Sequence, residues 1–237
     1  MHTYKTLSQK KNGGNFVERS AFARQRHGDL YMNYTTIKDF AKDSFIEKKS
    51  EFIGYISPVK TNEEAIDFIN KIKAENRKAR HNVYAYILRD NNITRYSDDG
   101  EPQGTAGMPV LDVLQKEGLT DICVVVTRYF GGILLGGGGL VRAYSHACKL
   151  AVDAALKMEM HECFEVTLKF DYSLYGKIEY SLPEFEIKML SDEFSDDITL
   201  KMLVKIEMYN KLEERLFDIT NGKIIISKSE LKYGDFA

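Results

Sequence analysis

Residues 97–149 read SDDGEPQGTAGMPVLDVLQKEGLTDICVVVTRYFGGILLGGGGLVRAYSHACK. The stretch holds an acidic turn at Ser97–Glu101, a short helix opened near Pro109 and ended by Gly118, and the apolar run Ile122–Thr127. It closes with a glycine loop, Gly136–Gly139, that starts a second helix reaching about Lys157. Proline suits a first helical turn, and glycine suits a helix end. A short continuous apolar run between turn signals predicts a central strand buried on both faces. In the second helix, Leu140, Tyr144, Ala147, Ala151 and Ala155 form a packing stripe. Arg142, His146, Lys149 and Asp153 fall on another face at helical spacing.

On the N-terminal side, Glu51–Val59 reads as a strand ended near Pro58. Thr61 followed by Glu64 is a capping-box signature for a helix burying Ala65, Phe68, Ile69 and Ile72. A basic patch, Asn76–His81, precedes an alternating strand at Asn82–Arg89. Asp90-Asn91-Asn92 marks a turn, with Ile93–Tyr96 as the returning strand. Residues 1–31 lack apolar periodicity and contain no secretory apolar core, so they read as a disordered or artefactual extension, with folding beginning near Met32.

On the C-terminal side the pattern changes. Phe164, Val166, Leu168 and Phe170 alternate with polar residues, and a helix follows at about Leu174–Leu182. A short strand near Phe185–Met189, an acidic turn at Ser191–Asp197 and a second alternating strand, Ile198–Ile206, come next. Asn210 with Glu213 marks another helix, and Lys223–Ser229 a last strand. This β-α-β-β-α-β order is ferredoxin-like. The expected organisation is an extension at 1–31, a first domain at 32–158 and a ferredoxin-like domain at 163–237.

The 237 residues are 43% hydrophobic and 29% charged, the composition of a globular protein, and no apolar run is long enough to span a membrane. Three cysteines without paired spacing point to reduced thiols in the cytoplasm. Net charge is +4 over residues 1–31, zero over 32–161 and −6 over 162–237. No domain is basic enough to declare a nucleic-acid partner, so any such contact rests on a local patch.

The glycines at 136–139 allow close backbone approach, and a helix start favours an anion. A tight strand-to-helix crossover explains them equally well. Neither standard phosphate-loop spacing fits: Gly137 stands where one motif needs Lys, and Val141 where the other needs Gly. Arg142 in a helix's first turns opposes the dipole unless it is solvated, paired or aimed at an anion. Arg128, at the end of the apolar run, is a second cation that either joins it or pairs with Asp98, Asp99 or Glu101. His81 and His146 complete the candidate anion-binding or nucleic-acid-binding set: His81, Arg128, Gly136, Gly137, Gly138, Gly139, Arg142 and His146. Asp98, Asp99 and Glu101 are carboxylates for pairing with arginine or, alternatively, for Mg²⁺. No nucleophile pairs recognisably with either histidine, so no catalytic residue is assigned, and binding is expected rather than catalysis. Tyr84, Tyr86, Tyr96, Tyr129 and Phe130 among the arginines suit either base stacking or a half-buried sheet.

Three segments carry a resemblance to a known family: Arg80–Tyr86, Ser97–Pro109 and Val124–Tyr144 resemble the IMPACT/YigZ family over about Met32–Lys157. The C-terminal half resembles that family's bacterial second domain, similar to ferredoxin-like domains of elongation factor G. The resemblance implies an α+β protein: a ribosomal protein S5 domain 2-like domain with helices on one face of a sheet, then a ferredoxin-like domain. It implies a translation-linked, stress-related role, and the expected partner is RNA, the ribosome or a translation-associated protein in the cytoplasm; no cofactor is expected, with Mg²⁺ as the alternative. Eukaryotic relatives regulate translation by restraining activation of the amino-acid-starvation kinase; residues 1–31 match nothing in the family pattern, and no counterpart of those relatives' N-terminal protein-binding domain is expected, so that partner is not carried over. The alternative is an enzyme or sensor for a small phosphorylated ligand, with Mg²⁺. The acidic C-terminal domain is a further candidate surface for a protein partner.

Overall fold

A computed structural model describes residues 33–237. The expected extension at 1–31 lies outside the described residues.

The elements in chain order are β1 (Tyr34–Ile37), β2 (Ala41–Glu47), β3 (Ser50–Pro58), α1 (Asn62–Glu75), β4 (His81–Leu88), β5 (Ile93–Ser97), α2 (Gly107–Lys116), β6 (Ile122–Tyr129) and α3 (Gly137–Ala154). There follow β7 (Lys157–Phe170), α4 (Tyr175–Ser181), β8 (Ile187–Phe194), β9 (Ile198–Lys205), α5 (Ile206–Thr220), β10 (Ile225–Lys228) and β11 (Lys232–Asp235). The architecture is α+β, with two separate sheets.

The first sheet runs β2-β3-β6-β4-β5, antiparallel throughout. The ICVVVT run lies in its central strand, β6, where every residue from Ile122 to Arg128 is buried. Alternation divides that strand between two cores. Val124 and Val126, with Phe52, Ile56, Val83 and Ala85, pack under α2 and α3. Cys123 and Val125, with Tyr55, Tyr86 and Leu88, pack against Ala65, Ile69 and Ile72 of α1. The helices therefore cover both faces, which corrects the expectation of helices on one face only. The α2–β6–α3 portion keeps the S5 domain 2-like layering; α1 closes the face that layering leaves open.

The cap of α1 follows the sequence signal with one change. Thr61 Oγ1 accepts from the Glu64 amide at 3.2 Å, while the Glu64 carboxylate reaches back to the amide of Lys60 at 2.6 Å. One orphan donor of the helix and one amide of the entering chain are thus both satisfied.

The second half has strand order β10-β7-β9-β8, with β10 and β9 on opposite edges of β7. Taken in chain order, this is the 4-1-3-2 antiparallel sheet of the ferredoxin-like fold, with α4 and α5 on one face. Ile178, Leu182, Leu212 and Leu216 pack there on Val166, Leu168, Leu200 and Met202.

Several boundaries differ from the sequence reading. α3 ends at Ala154, and β7 then runs unbroken to Phe170, so the expected domain boundary at about Met158–Cys163 lies inside a strand. β8 extends to Phe194, because pairing with β9 carries the acidic segment along. α5 starts at Ile206, with no side-chain cap, and Asn210 sits inside it. The expected strand sequence lacked β1, β2 and β11. Both β1 and β11 pair with the first part of β7. Arg89 ties these additions to the first sheet. Its guanidinium lies 3.9 Å from the Tyr34 ring centroid and 4.2 Å from that of Tyr233, and its Nε donates to Asp121 at 3.0 Å.

A candidate anion-binding surface beside a buried carboxylate

Arg128 lies near the end of β6, opposite His81 of β4 on one side and Phe52 of β3 on the other. It shares the strand face of Val124 and Val126, so its side chain enters the core beneath α3. Glu101, from the turn after β5, meets it there. Glu101 Oε1 accepts from Arg128 Nη1 at 2.6 Å and from the Tyr144 hydroxyl at 2.8 Å, and His81 Nε2 stands 3.9 Å away. The two charged side chains are only 6% and 5% exposed. Burial, reinforced by the Glu101 charge, pushes the Tyr144 hydroxyl far up from its ordinary value, so it stays a neutral donor. Phe52 and Phe130 flank the guanidinium, each ring centroid 5.4 Å away.

This geometry corrects the place of Arg128 among the anion-binding candidates: its charge is already met by Glu101 inside the protein. The other two acidic residues are also occupied. Asp98 Oδ1 accepts from the amides of Ala106 and Gly107 at 3.0 and 2.8 Å, and Oδ2 from Gly104 at 2.9 Å. It thereby satisfies the start of α2, whose own N-cap position is an alanine with no side-chain oxygen. Asp99 accepts from the Asn82 amide at 2.6 Å and from Lys73 at 2.7 Å, while its carbonyl lies 2.9 Å from His81 Nδ1. The three carboxylates thus turn to three separate sets of partners. Among the described residues no group of three or more His, Cys, Asp or Glu side chains is arranged to hold a metal ion.

A different grouping forms at the start of α3. Gly136 precedes the helix at φ 71° and ψ 165°, a conformation that favours glycine, and no side chain caps the helix. The amides of Gly137, Gly138 and Gly139 have no preceding helical turn to donate to. At Gly139 opens a hollow of about 250 Å³ lined also by Phe45, Glu47, Lys48, Leu135, Arg142 and His146, so one carboxylate faces it together with the cations. Arg142 is exposed and has no ion-pair partner among the described residues; its guanidinium folds back so that a Cβ on Gly138 would lie 3.7 Å from one Nη. His146 packs edge-on against Phe45, with ring centroids 4.6 Å apart. A shallower depression of about 470 Å³ on the other side of Arg142 and His146 is bordered by Lys116 and Lys149. Lys149 is engaged by Asp153 and by Glu117 at 3.1 Å.

Gly136–Gly139, Arg142 and His146 are thus brought together, whereas His81 and Arg128 belong to the buried Glu101 cluster. Sequence reasoning missed Lys48. It sits in the two-residue turn between β2 and β3, and both turn residues have positive φ: 47° at Lys48 and 65° at Lys49. Such hairpin turns favour Asn and Gly, so two lysines there hold a strained conformation. Gly131 packs against the same turn; a Cβ on it would fall 1.9 Å from the Lys49 carbonyl oxygen. The polar pair Lys48-Lys49 between two strand segments was the available sequence signal. Tyr144 packs in the core as its place in the α3 stripe predicts, and its hydroxyl is also the second donor to Glu101.

Comparison with known proteins places this arrangement. The Impact N-terminal domain matches residues 48–152, which include the Lys48 turn, the Glu101 cluster and the start of α3. A domain of unknown function, DUF1949, matches residues 168–223 in the ferredoxin-like half. The chain is 39% identical over 202 residues to the IMPACT family member YvyE of Bacillus subtilis, covering 85% of this chain and 93% of that protein. It is 33% identical over 180 residues to the IMPACT family member YigZ of Escherichia coli, covering 75% and 88%. A crystal structure described only as that of a hypothetical protein superposes with a TM-score of 0.55 at 30% identity, covering 83% of this chain and 97% of the other. Two domain matches in the observed order, with relatives aligned over most of both chains, show that this protein belongs to the IMPACT family.

Proposed function

We propose that the protein is a translation-linked binding protein whose first half holds the phosphate backbone of RNA, presented by the ribosome, at the start of α3. One observation carries this reading: Lys48, Arg142 and His146, outnumbering the single carboxylate Glu47, line an open hollow that reaches Gly139 at the uncapped start of α3. Helix amides and flexible cations together suit phosphate oxygens. The strained Lys48-Lys49 turn supports it, since unfavourable backbone is commonly retained where a side chain must be presented. In this reading Glu101, Arg128 and Tyr144 fix β6, β5 and α3 relative to one another and take no part in contact. The role belongs to the cytoplasm and to regulation of translation under stress. Co-sedimentation with ribosomes at low and moderate salt tests it. Wild type should pellet with ribosomes at low salt and be released as salt rises, because phosphate contacts release counterions. Arg142→Ala should pellet less at every salt. Absence of wild-type protein from the pellet at low salt would sink the proposal.

A second reading is a sensor or enzyme for a small phosphorylated ligand, and the size of the hollow favours it. About 250 Å³ is close to the lower end of small-molecule sites. A melting-temperature screen with nucleotides and sugar phosphates, with and without Mg²⁺, separates the two. A shift that Arg142→Ala abolishes favours the small ligand. A flat screen leaves the RNA reading.

A further inference from the structure

A second hollow, of about 360 Å³, lies in the ferredoxin-like half between α4 and the edge strand β8. Its floor is apolar: Leu182, Phe185, Ile187, Met189 and Leu200, with Tyr175 at one end. Two carboxylates also line it, Glu179 from α4 and Asp192 from β8.

Asp192 reaches this position through an irregularity in the strand. Ile187 pairs with Val204 and Met189 with Met202, both on the core face under the helices. Unbroken alternation would put Ser191 next on that face and turn Asp192 away. The register shifts between Met189 and Ser191, so Asp192 pairs with Leu200 and shares the face of Ile187 and Met189. The bulge therefore brings a carboxylate to the mouth of an apolar hollow. No ion-pair partner meets either carboxylate among the described residues. Glu179 accepts only the Tyr175 hydroxyl, at 3.2 Å.

The strand beside the hollow is also open. β8 pairs with β9 on one side and has no strand on the other among the described residues. Met189 and Leu190 on it are 45% and 47% exposed. Glu193 and Asp196 continue the negative charge beyond Asp192. An open edge offers main-chain hydrogen bonds to an extended segment, and flanking hollows select its side chains. Here an apolar floor with carboxylates at its mouth matches a lysine or arginine, whose aliphatic stem packs while its charged end meets the acids.

We infer that the β8 edge is a docking site for an extended segment of a partner protein in which basic and apolar residues alternate, with one Lys or Arg side chain entering the hollow between Glu179 and Asp192. The surface is in the other half of the chain from the RNA-binding proposal, so either can fail alone. The test uses the full chain and a fluorescein-labelled ten-residue peptide alternating lysine and valine, followed by fluorescence anisotropy. A glutamate–valine peptide is the control. The lysine peptide should bind saturably and the glutamate peptide should not. The double variant Glu179→Lys/Asp192→Lys, altered at solvent-accessible positions, should weaken binding by at least about tenfold. Equal binding of both peptides, no binding of the lysine peptide, or unchanged binding by the double variant would overturn the inference. Sedimentation velocity covers the other occupant. If the chain dimerises, Met189→Lys returns it to monomer and the peptide does not bind, the edge is an interface between copies and the inference fails.

Discussion

At Glu101 a single carboxylate oxygen takes donors from Arg128 and Tyr144, with both charged side chains almost wholly out of water. Removing one member of such a pair strands the other charge in the core. Glu101→Ala should therefore lower unfolding stability by about 3–5 kcal/mol, measured by urea denaturation. Tyr144→Phe removes one donor and keeps the ring, and should cost only about 1–2 kcal/mol. A loss below about 1 kcal/mol for Glu101→Ala would show the pair to be hydrated and the burial argument wrong. The cysteines give a second test. Burial pushes the thiols of Cys123, Cys148 and Cys163 up from their usual range, disfavouring the reactive thiolate. All three should react slowly with a disulfide reagent at mildly alkaline pH and quickly after denaturation. Fast native labelling of Cys123 or Cys148 would contradict the packing of β6 or α3. The buried end of Arg128 was not legible in the sequence. Its pairing with Glu101 is one of the alternatives the sequence offers, but the apolar run stops at Thr127, whereas β6 continues through Arg128 and takes the pair into the core.

α3 approaches β3 closely enough to exclude a side chain. A Cβ on Gly54 would stand 2.3 Å from the Ala147 carbonyl oxygen. Gly54→Ala should destabilise the protein by about 2–3 kcal/mol in the same denaturation measurement, since a packed helix cannot shift without disturbing its whole face. A near-neutral result would place α3 farther from the sheet. At its other end α3 contributes to a small acid-sensitive cluster. Lys157 and Lys149 hold the Glu117 carboxyl below its usual range. A lowered folded value stabilises the protein above the unfolded carboxylate pKa, and that contribution disappears as pH falls through the folded value. Glu117 is partly exposed, so Glu117→Gln should cost no more than about 1 kcal/mol at neutral pH and progressively less as pH falls below the ordinary carboxylate range; a cost that does not shrink in acid would remove the ion pairs from the account. Elements with strong patterns were legible: α1 from its cap, β4 and β9 from alternation, β6 from its apolar run. β2 was not, because AKDSFIE is mostly exposed and only Ala41 and Phe45 turn to the core, with Asp43 between them breaking the apolar alternation. α5 was placed late because it follows β9 directly with no capping side chain. The bulge in β8 broke the period that would have shown its full length.

Over the whole chain, two sheets present surfaces of opposite character. The first offers the start of α3 with Lys48, Arg142 and His146; the second carries −6 and an open acidic edge. No helix among the described residues is long and apolar enough to cross a membrane. The family and the α+β order were legible because the motifs of residues 97–149 are long and the β-α-β-β-α-β pattern is clean. The composition of the binding surface was only half legible. Gly136–Arg142 stands out in the sequence, but Lys48 reaches the same hollow from a hairpin nearly ninety positions earlier. Arg128, close in sequence, is spent on the core. The claim that most needs testing is therefore that the α3 hollow binds phosphate through its exposed cations. The direct measurement is the dissociation constant for a labelled single-stranded RNA as a function of salt, for wild type, Arg142→Ala and Lys48→Ala. The account predicts salt-sensitive wild-type binding. Each variant should bind more weakly and lose about 0.7 from the slope of log affinity against log salt. Wild-type affinity and slope unchanged in both variants would contradict it.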